Sequence, residues 1–478
     1  MRVLYIDLDC CRPDHLGAYG YHRNTSPNID AMAAKSTIFT HCYCSNSPCV
    51  PSRASVFSGR FGINNGVVTN HQAGDRLHPL FRGKMQFGDK PMLPYVLWQK
   101  GMKTVSFSSF LDRHAAWWFA SGWEELHNYT RKRGNETANE TNAAFLPWLR
   151  QHGREDNWFI HLHYWDLHSL YRMPDESYFQ KFADEPPPDW PDEQALQENL
   201  RCYGPRTARD PYLASGRNMP ARIATPADMK RVYDGYDGAI AYVDKHLGEV
   251  FGALRELGIE EETAVIISSD HGDSFGEHGQ YEDHGIANEA VHHIPMIVHW
   301  PGIAPGCCGE FIYGLDLGPT LCDMLGMPTP AGWDGKSFAP AIRGERFEGW
   351  PYQVWDHGIY TLTRSVRTRD YLLINILHRG LYPYTEPLML YDMNNDPHQR
   401  HNLAAERPEM VNELLGLMAQ WRREQLLKGN GPDALEEVIP RGPFDYYTAE
   451  SYLKFLQARG LDEYAEDFRA GMGINKEA

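Results

Sequence analysis

The chain has 478 residues and a formal net charge of −17, with 42% apolar, 23% charged and 12% aromatic residues. That length exceeds what one hydrophobic core usually serves, so a large domain with a smaller companion is expected, and the composition is that of a globular protein rather than a disordered or fibrous one. The acidic balance argues against nucleic acid or an anionic membrane surface as general partner. It leaves an anionic substrate open, because a metal ion and local cations invert the sign inside one pocket.

From Met1 the sequence runs directly into an apolar stretch, Val3 to Leu8, that reads as a strand, carries acids at Asp7 and Asp9, and lacks the apolar core and cleavage site of a signal peptide. With Met1 as the native start this reads as a cytoplasmic protein; a chain trimmed of its leader would read the same. No run of about eighteen apolar residues occurs, so no membrane-spanning helix is expected. Next come Cys49-Val50-Pro51-Ser52-Arg53 and, shortly after, Ser58-Gly59-Arg60. Strand-like runs follow at Thr104 to Phe107 and Trp158 to His163, the latter leading into Trp165-Asp166-Leu167-His168. Two glycosylation-type sequons, at Asn135 and Asn139, read as surface residues in the absence of a secretory route.

Between about 183 and 226 the chain is rich in Pro, Gly and Arg with little periodicity, which predicts a long surface insertion of the kind that shapes substrate access. The spacing of Val232, Tyr236, Ile240, Val243, Leu247 and Phe251 then predicts a core-packed helix over about Met229 to Leu257. Ala264 to Ser268 is short, β-branched and apolar on both faces, as a central parallel strand should be, and Asp270-His271-Gly272 sits at its carboxyl end. A further strand spans Pro295 to His299. After about residue 345 come short aromatic strands, Tyr352 to Trp355 and Tyr371 to Ile376, and the tail carries one predicted helix, Ala449 to Ala458, read as a packing or homo-oligomer contact. The nine cysteines include adjacent pairs at Cys10-Cys11 and Cys307-Cys308 but no Cys-x-x-Cys spacing, so free thiols are expected and a zinc site is not.

Strands alternating with helical segments predict an α/β fold with a large mixed, mostly parallel sheet flanked by helices and a smaller C-terminal α+β subdomain. The expected division is a catalytic domain over 1–345, an antiparallel-sheet subdomain over 346–430 and a helical tail over 431–478. In such sheets ligands bind beyond the carboxyl ends of the strands, where both Asp9 and Asp270 fall.

Cys49 to Arg53, extended to Arg60 and combined with the acidic first strand and the downstream Asp270-His271-Gly272, resembles the signature of the formylglycine-dependent sulfatases of the alkaline-phosphatase-like superfamily. Leu390-Tyr391-Asp392 to Pro397, with Asn402-Leu403, is similar to the close of their C-terminal subdomain. The resemblance implies that a formylglycine-generating enzyme converts Cys49 to formylglycine. The hydrated aldehyde attacks sulfur and displaces the alcohol; loss of the second hydroxyl's proton then expels sulfate. Arg53 stabilises the hydrate and the developing anion. An unmodified Cys49 thiolate is the weaker nucleophile reading.

The resemblance further implies a divalent metal held by Asp9, Cys49 (as formylglycine), Asp270 and His271, with calcium first and manganese or magnesium second. Cys10 stands where the family usually has a second acid, and a neutral thiol is a poor ligand for a hard cation. His168 and His284 occupy positions where the family places anion donors or general acids. The family's Lys-x-His segment is missing; Arg113 or His114 is the candidate replacement, with His114 retained as catalytic. His163 and His278 rank lower. The expected reaction is hydrolysis of a sulfate monoester, on a sulfated carbohydrate. The alternatives are a phosphonate monoester or phosphodiester hydrolase of the same superfamily, and a non-catalytic binding protein on this fold.

Overall fold

A computed structural model describes the chain apart from residues 71–90, 170, 172, 174, 201, 203, 207–219, 221, 383, 430, 444–447, 459, 472–473 and 475–478. Its strands are β1 (Arg2–Leu8), β2 (Thr37–Tyr43), β3 (Asn46–Ser47), β4 (Lys103–Phe107), β5 (Glu125–His127), β6 (Trp158–Tyr164), β7 (Thr263–Ser269), β8 (Ser274–Phe275) and β9 (Tyr281–Asp283). They continue with β10 (His293–His299), β11 (Gly306–Cys308), β12 (Ile312–Tyr313), β13 (Gln353–His357), β14 (Leu362–Arg367), β15 (Tyr371–His378) and β16 (Leu388–Asp392). The helices that matter below are α1 (Cys49–Ser58), α2 (Pro226–Leu257), α3 (Pro408–Gly429), α4 (Ala449–Ala458) and α5 (Asp462–Gly471).

The large sheet has the order β11-β2-β10-β7-β1-β6-β4-β5, with β12 also beside β2. Its pairings are parallel except where β10 runs against β7 and β2, which is the mixed, mostly parallel sheet expected. The central strand β1 is buried on both faces. Leu4, Ile6 and Leu8 pack with Val232, Tyr236, Ile240, Val243, Leu247 and Phe251 of α2, while Val3 and Tyr5 pack with Val50, Ala54 and Phe57 of α1. Each such side chain contributes roughly 1.5–3 kcal/mol on removal from water. Alternation along β1 therefore turns Asp7 toward α1, an acid on an otherwise apolar face.

Helix α2 begins where its sequence supplies a cap. The Thr225 hydroxyl accepts the Asp228 N–H at 3.2 Å and the Asp228 carboxylate accepts the Thr225 N–H at 3.0 Å, with Pro226 in the first turn. It ends at Gly258, whose φ of +71° suits glycine.

The second sheet has the order β16-β15-β14-β13-β3. Its last strand is not from the C-terminal region at all: Asn46 and Ser47 pair in parallel with Asp356 and His357. The residues immediately before Cys49 are thus fastened to the C-terminal sheet. Helix α3, absent from the sequence reading, covers this sheet through Leu414, Met418 and Trp421. In the tail, α4 forms over the predicted residues and α5 was missed; Tyr452, Leu456 and Phe468 pack on Tyr360, Leu381 and Tyr382. The segment at 183–226 also departs from the surface reading. It contains the helix Glu193–Asn199, and Cys202 and Arg206 are buried; 207–219 lie outside the described residues.

Arg364 joins β14 to the segment after α3. Its Nε and Nη2 donate to Asp356 at 2.6 and 2.9 Å, and its Nη1 and Nη2 donate to Asp433 at 2.6 and 3.0 Å, all buried. Replacing Arg364→Met leaves the buried Asp356 without its cation and Asp433 with Arg422 alone, whose Nε donates to it at 2.8 Å, so equilibrium urea unfolding should show a loss of about 3 kcal/mol; a loss under about 1 kcal/mol would mean that water enters and the network carries little.

Candidate active site

Strand register assembles the site. In parallel pairing Leu8 lies opposite Ser269 of β7 and Tyr164 of β6, so the next residues of the three strands, Asp9, Asp270 and Trp165, emerge together at one sheet edge. Asp7 is paired with His163. The turn after β1 is tied in place from both sides. Cys10, at φ +57°, donates its N–H to Asp270 Oδ1 at 3.0 Å, and Tyr236 of α2 donates its hydroxyl to the Cys10 carbonyl while accepting the Arg12 N–H, each at 2.8 Å. Helix α2, read as packing alone, thereby also fixes this turn. Gly272 is required by close approach, since a Cβ there would fall 2.2 Å from the Ala290 carbonyl oxygen.

Arg53 of α1 sits at the centre with every guanidinium nitrogen engaged. Nε donates to Asp7 Oδ2 at 2.7 Å and Nη2 to Asp7 Oδ1 at 3.1 Å. Nη1 donates to Asp270 Oδ2 at 2.7 Å, and Nη2 lies 3.0 Å from Asp9 Oδ2 and 2.7 Å from His163 Nε2. Sequence reasoning has Arg53 acting on the reacting anion; in the structure its donors reach three carboxylates and an imidazole. Burial alone would raise the Asp7 and Asp9 carboxyls, yet Arg53 and the neighbouring histidines hold both below the usual range. Asp270 goes the other way, raised by burial against the opposing pull of Arg53.

Cys49 opens α1. Its Sγ is 3.2 Å from His271 Nε2, and it groups with Asp270 and His271 on one side and with Asp9 and His168 on the other. His271 Nδ1–H donates to the Gly272 carbonyl at 2.8 Å, which leaves Nε2 with its lone pair toward Cys49. Three buried carboxylates facing one guanidinium leave a negative excess that a low-dielectric site does not tolerate without further positive charge. Asp9, Asp270 and the open His271 Nε2 therefore fit a divalent cation. Burial, Asp9 and Asp270 push the Cys49 thiol well up, so an unmodified Cys49 stays a thiol, not the thiolate that nucleophilic attack requires.

The remaining histidines divide. His284 donates Nδ1–H to Asp273 Oδ1 at 2.6 Å, and its ring is 4.5 Å from that of His271. His168 joins the Asp9–Cys49 group. His114 lies alongside, its ring 5.1 Å from Phe110 and 6.2 Å from Trp165, while Arg113 stacks over Trp165 at 5.0 Å. His278, on Gln399, belongs to a different neighbourhood. Two residues were undervalued or missed. His163 touches both Arg53 and Asp9, which its place opposite Asp7 in two adjacent strands could have indicated. Arg206 comes from the insertion, places Nη1 3.4 Å from Ser169 Oγ beside His168, and exerts its charge on Asp273 and His284. No motif marks it.

Behind Cys49 a second polar layer surrounds Ser47. His292 Nδ1–H donates to the Cys44 carbonyl at 2.7 Å and His357 Nε2–H to the Ile359 carbonyl at 2.6 Å. The other nitrogens face Ser47 Oγ at 3.0 and 2.7 Å. Burial pushes both imidazoles down to about 3.

Comparison with solved structures shows that the fold is shared. The phosphonate monoester hydrolase of Agrobacterium radiobacter aligns with a TM-score of 0.65 at 22% identity, over 88% of this chain and 95% of that one. A protein solved in complex with its substrate D-glucosamine-2-N,6-O-disulfate aligns with a TM-score of 0.68 at 18% identity, over 91% and 99%. The chain belongs to the sulfatase family: residues 2–327 match the family's sequence profile, and residues 276–424 match one described as N-sulphoglucosamine sulphohydrolase, C-terminal. Among curated relatives, the N-acetylglucosamine-6-O-sulfatase of Bacteroides thetaiotaomicron is 23% identical, over 92% of this chain and 89% of that protein.

The depressed histidines give a pH signature. A histidine neutral in the fold but titrating at about 6.5 when unfolded contributes stability that is complete above about 6.5 and is lost as pH falls toward the folded value. Denaturant unfolding should therefore show stability declining from pH 6.5 toward 4, with His357 responsible for up to about 1.4 kcal/mol per pH unit. His357→Asn should remove that increment and make the profile shallower; an unchanged slope would show that His357 does not resist protonation.

Proposed function

We propose that this chain hydrolyses the sulfate monoester of a sulfated carbohydrate, with Cys49 oxidised to formylglycine as the nucleophile and a divalent cation held by Asp9, Asp270, His271 and the modified residue 49. One observation carries the reading: Cys49 stands at the start of α1 against Asp9, Asp270 and His271, in surroundings that keep its unmodified thiol protonated. The substrate class is supported by relatives named for glucosamine sulfates.

The side chains divide the work. Arg53 keeps Asp9 ionised and aims both Asp9 and Asp270, and its engagement with Asp7 fixes the guanidinium itself. The N-terminal end of α1 presents partial positive charge where the sulfate would lie. His284, anchored through Nδ1 on Asp273, keeps Nε2 for exchanging a proton with the leaving oxygen; His168, on the Asp9 side of Cys49, is the second such group. When bound, the cation would draw charge from the sulfate oxygens and orient the nucleophile. Family resemblance puts calcium first, while the His271 imidazole brings manganese level with it. Maturation requires a formylglycine-generating enzyme. Among the described residues no helix is long and apolar enough to cross a membrane.

A second reading, hydrolysis of phosphonate monoesters or phosphodiesters, is favoured by the Asp270–His271 pair, which superfamily members with that activity also use. Rates on aryl sulfate, phosphonate monoester and phosphodiester would rank the two.

The deciding measurement is the mass of the proteolytic peptide containing Cys49, from protein made in its native cell or beside a formylglycine-generating enzyme. An aldehyde is expected, together with a loss of sulfate-ester turnover of about 10³-fold or more in Cys49→Ala. An intact thiol would overturn the mechanism and favour a binding protein on this fold.

A further inference from the structure

Beside the proposed cation site lies a second group of metal-type ligands. Cys10, His271, Asp273 and His284 are all buried, and one donor atom from each lies within 4.8 Å of the others. No spacing motif announces it, because the ligands come from the turn after β1, the end of β7, the start of β8 and the loop after β9. His271 Nδ1–H is spent on the Gly272 carbonyl at 2.8 Å, so this ring offers Nε2. His284 Nδ1 lies 2.6 Å from Asp273 Oδ1, so these two atoms face one space, and an ion there would take the place of the proton between them, which moves to His284 Nε2. Asp273 Oδ2 is buried with no hydrogen-bond partner, a costly condition that a bound cation removes. Arg206 opposes cation binding electrostatically from the insertion side.

We propose that Cys10, Asp273, His284 and His271 form a site for a borderline-soft divalent ion of the zinc class, and that this ion competes with the catalytic cation because both need His271 Nε2. One sulfur, two nitrogens and one oxygen form a tetrahedral zinc-type donor set, and they disfavour calcium. On binding, the Cys10 S–H bond gives way to an S–metal bond. The proton leaves by way of Asp9 Oδ1, which accepts from the thiol at 3.2 Å. Zinc is therefore an inhibitor that acts from beside the reacting centre. The competitive half of this inference rests on the proposed use of His271 by the catalytic cation; the binding half does not.

Cobalt(II) is the probe, added to full-length Cys49→Ser protein so that no sulfur remains at position 49. The expected result is one tightly bound cobalt with a thiolate-to-cobalt charge-transfer band. The band should disappear in the added Cys10→Ser substitution and survive Cys44→Ser, and Asp273→Asn should weaken binding by about tenfold or more. A band that persists without Cys10, or no band with the parent protein folded by circular dichroism, overturns the site. Zinc should displace the cobalt, and manganese should weaken cobalt binding in proportion to its concentration; simultaneous binding without mutual effect overturns the competition. Because the readout is absorption by a variant lacking the nucleophile, it stands apart from the Cys49 peptide mass that tests the sulfatase reading.

Discussion

The organisation of this molecule depends on one guanidinium. Arg53 faces Asp7, Asp9 and Asp270 in a space closed to water, and its charge opposes the effect of burial on each of them. A buried ion cluster of this kind contributes little net stability, because desolvation consumes most of the Coulombic gain. What it contributes is placement. Arg53 is on the helix that begins with Cys49, Asp7 is on the central strand with Asp9 just past its end, and Asp270 follows the neighbouring strand, so the same contacts that balance charge set the distance from Cys49 to the acids.

The balance is incomplete by design of the residue set. One cation facing three carboxylates leaves the site attractive to a divalent ion and, with such an ion bound, open to an anionic substrate group. This reconciles a chain of net charge −17 with an anionic substrate: the global field is repulsive, and the local sign is set by α1, Arg53, the bound cation and Arg206. Two histidine layers complete the enclosure. His161 and His163 of β6 lie beneath the acids, hydrogen-bonded to Ser106 and Ser108 of β4 and the turn after it, and His292 and His357 lie behind Ser47.

Much of this was legible in the sequence, and the pattern of what was not is physical. Asp9 and Asp270 could be read because each sits at the carboxyl end of an apolar strand that hydrophobic patterning defines, and Cys49 because the spacing from Cys49 to Arg53 and on to Arg60 carries the family resemblance. The helix over 226–257 was legible from its apolar spacing, and its start is fixed by Thr225 and Asp228. Residues that act through pairing between distant strands were harder. His163 looked like an ordinary strand histidine until β6 was set against β1, and Ser47 gains its neighbours only because β3 joins a sheet built from residues 353–392. Arg206 had no legible signal, since a Pro- and Gly-rich insertion has no periodicity from which to infer what is buried.

The fastening of β3 to the C-terminal sheet changes how the two lobes should be regarded. A domain boundary drawn near residue 345 follows composition, but Asn46–Ser47 pairing with Asp356–His357 makes the C-terminal sheet part of the scaffold for Cys49. Cys49 is held from in front by His271 and from behind, two residues upstream, by a strand of the other sheet. Loosening β13 or β14 would therefore move the start of α1 and with it Arg53, so disruption of the second sheet should reach the chemistry as well as the fold. In this chain the smaller lobe is the rear wall of the active site, and its stability and the geometry of the acids are one problem.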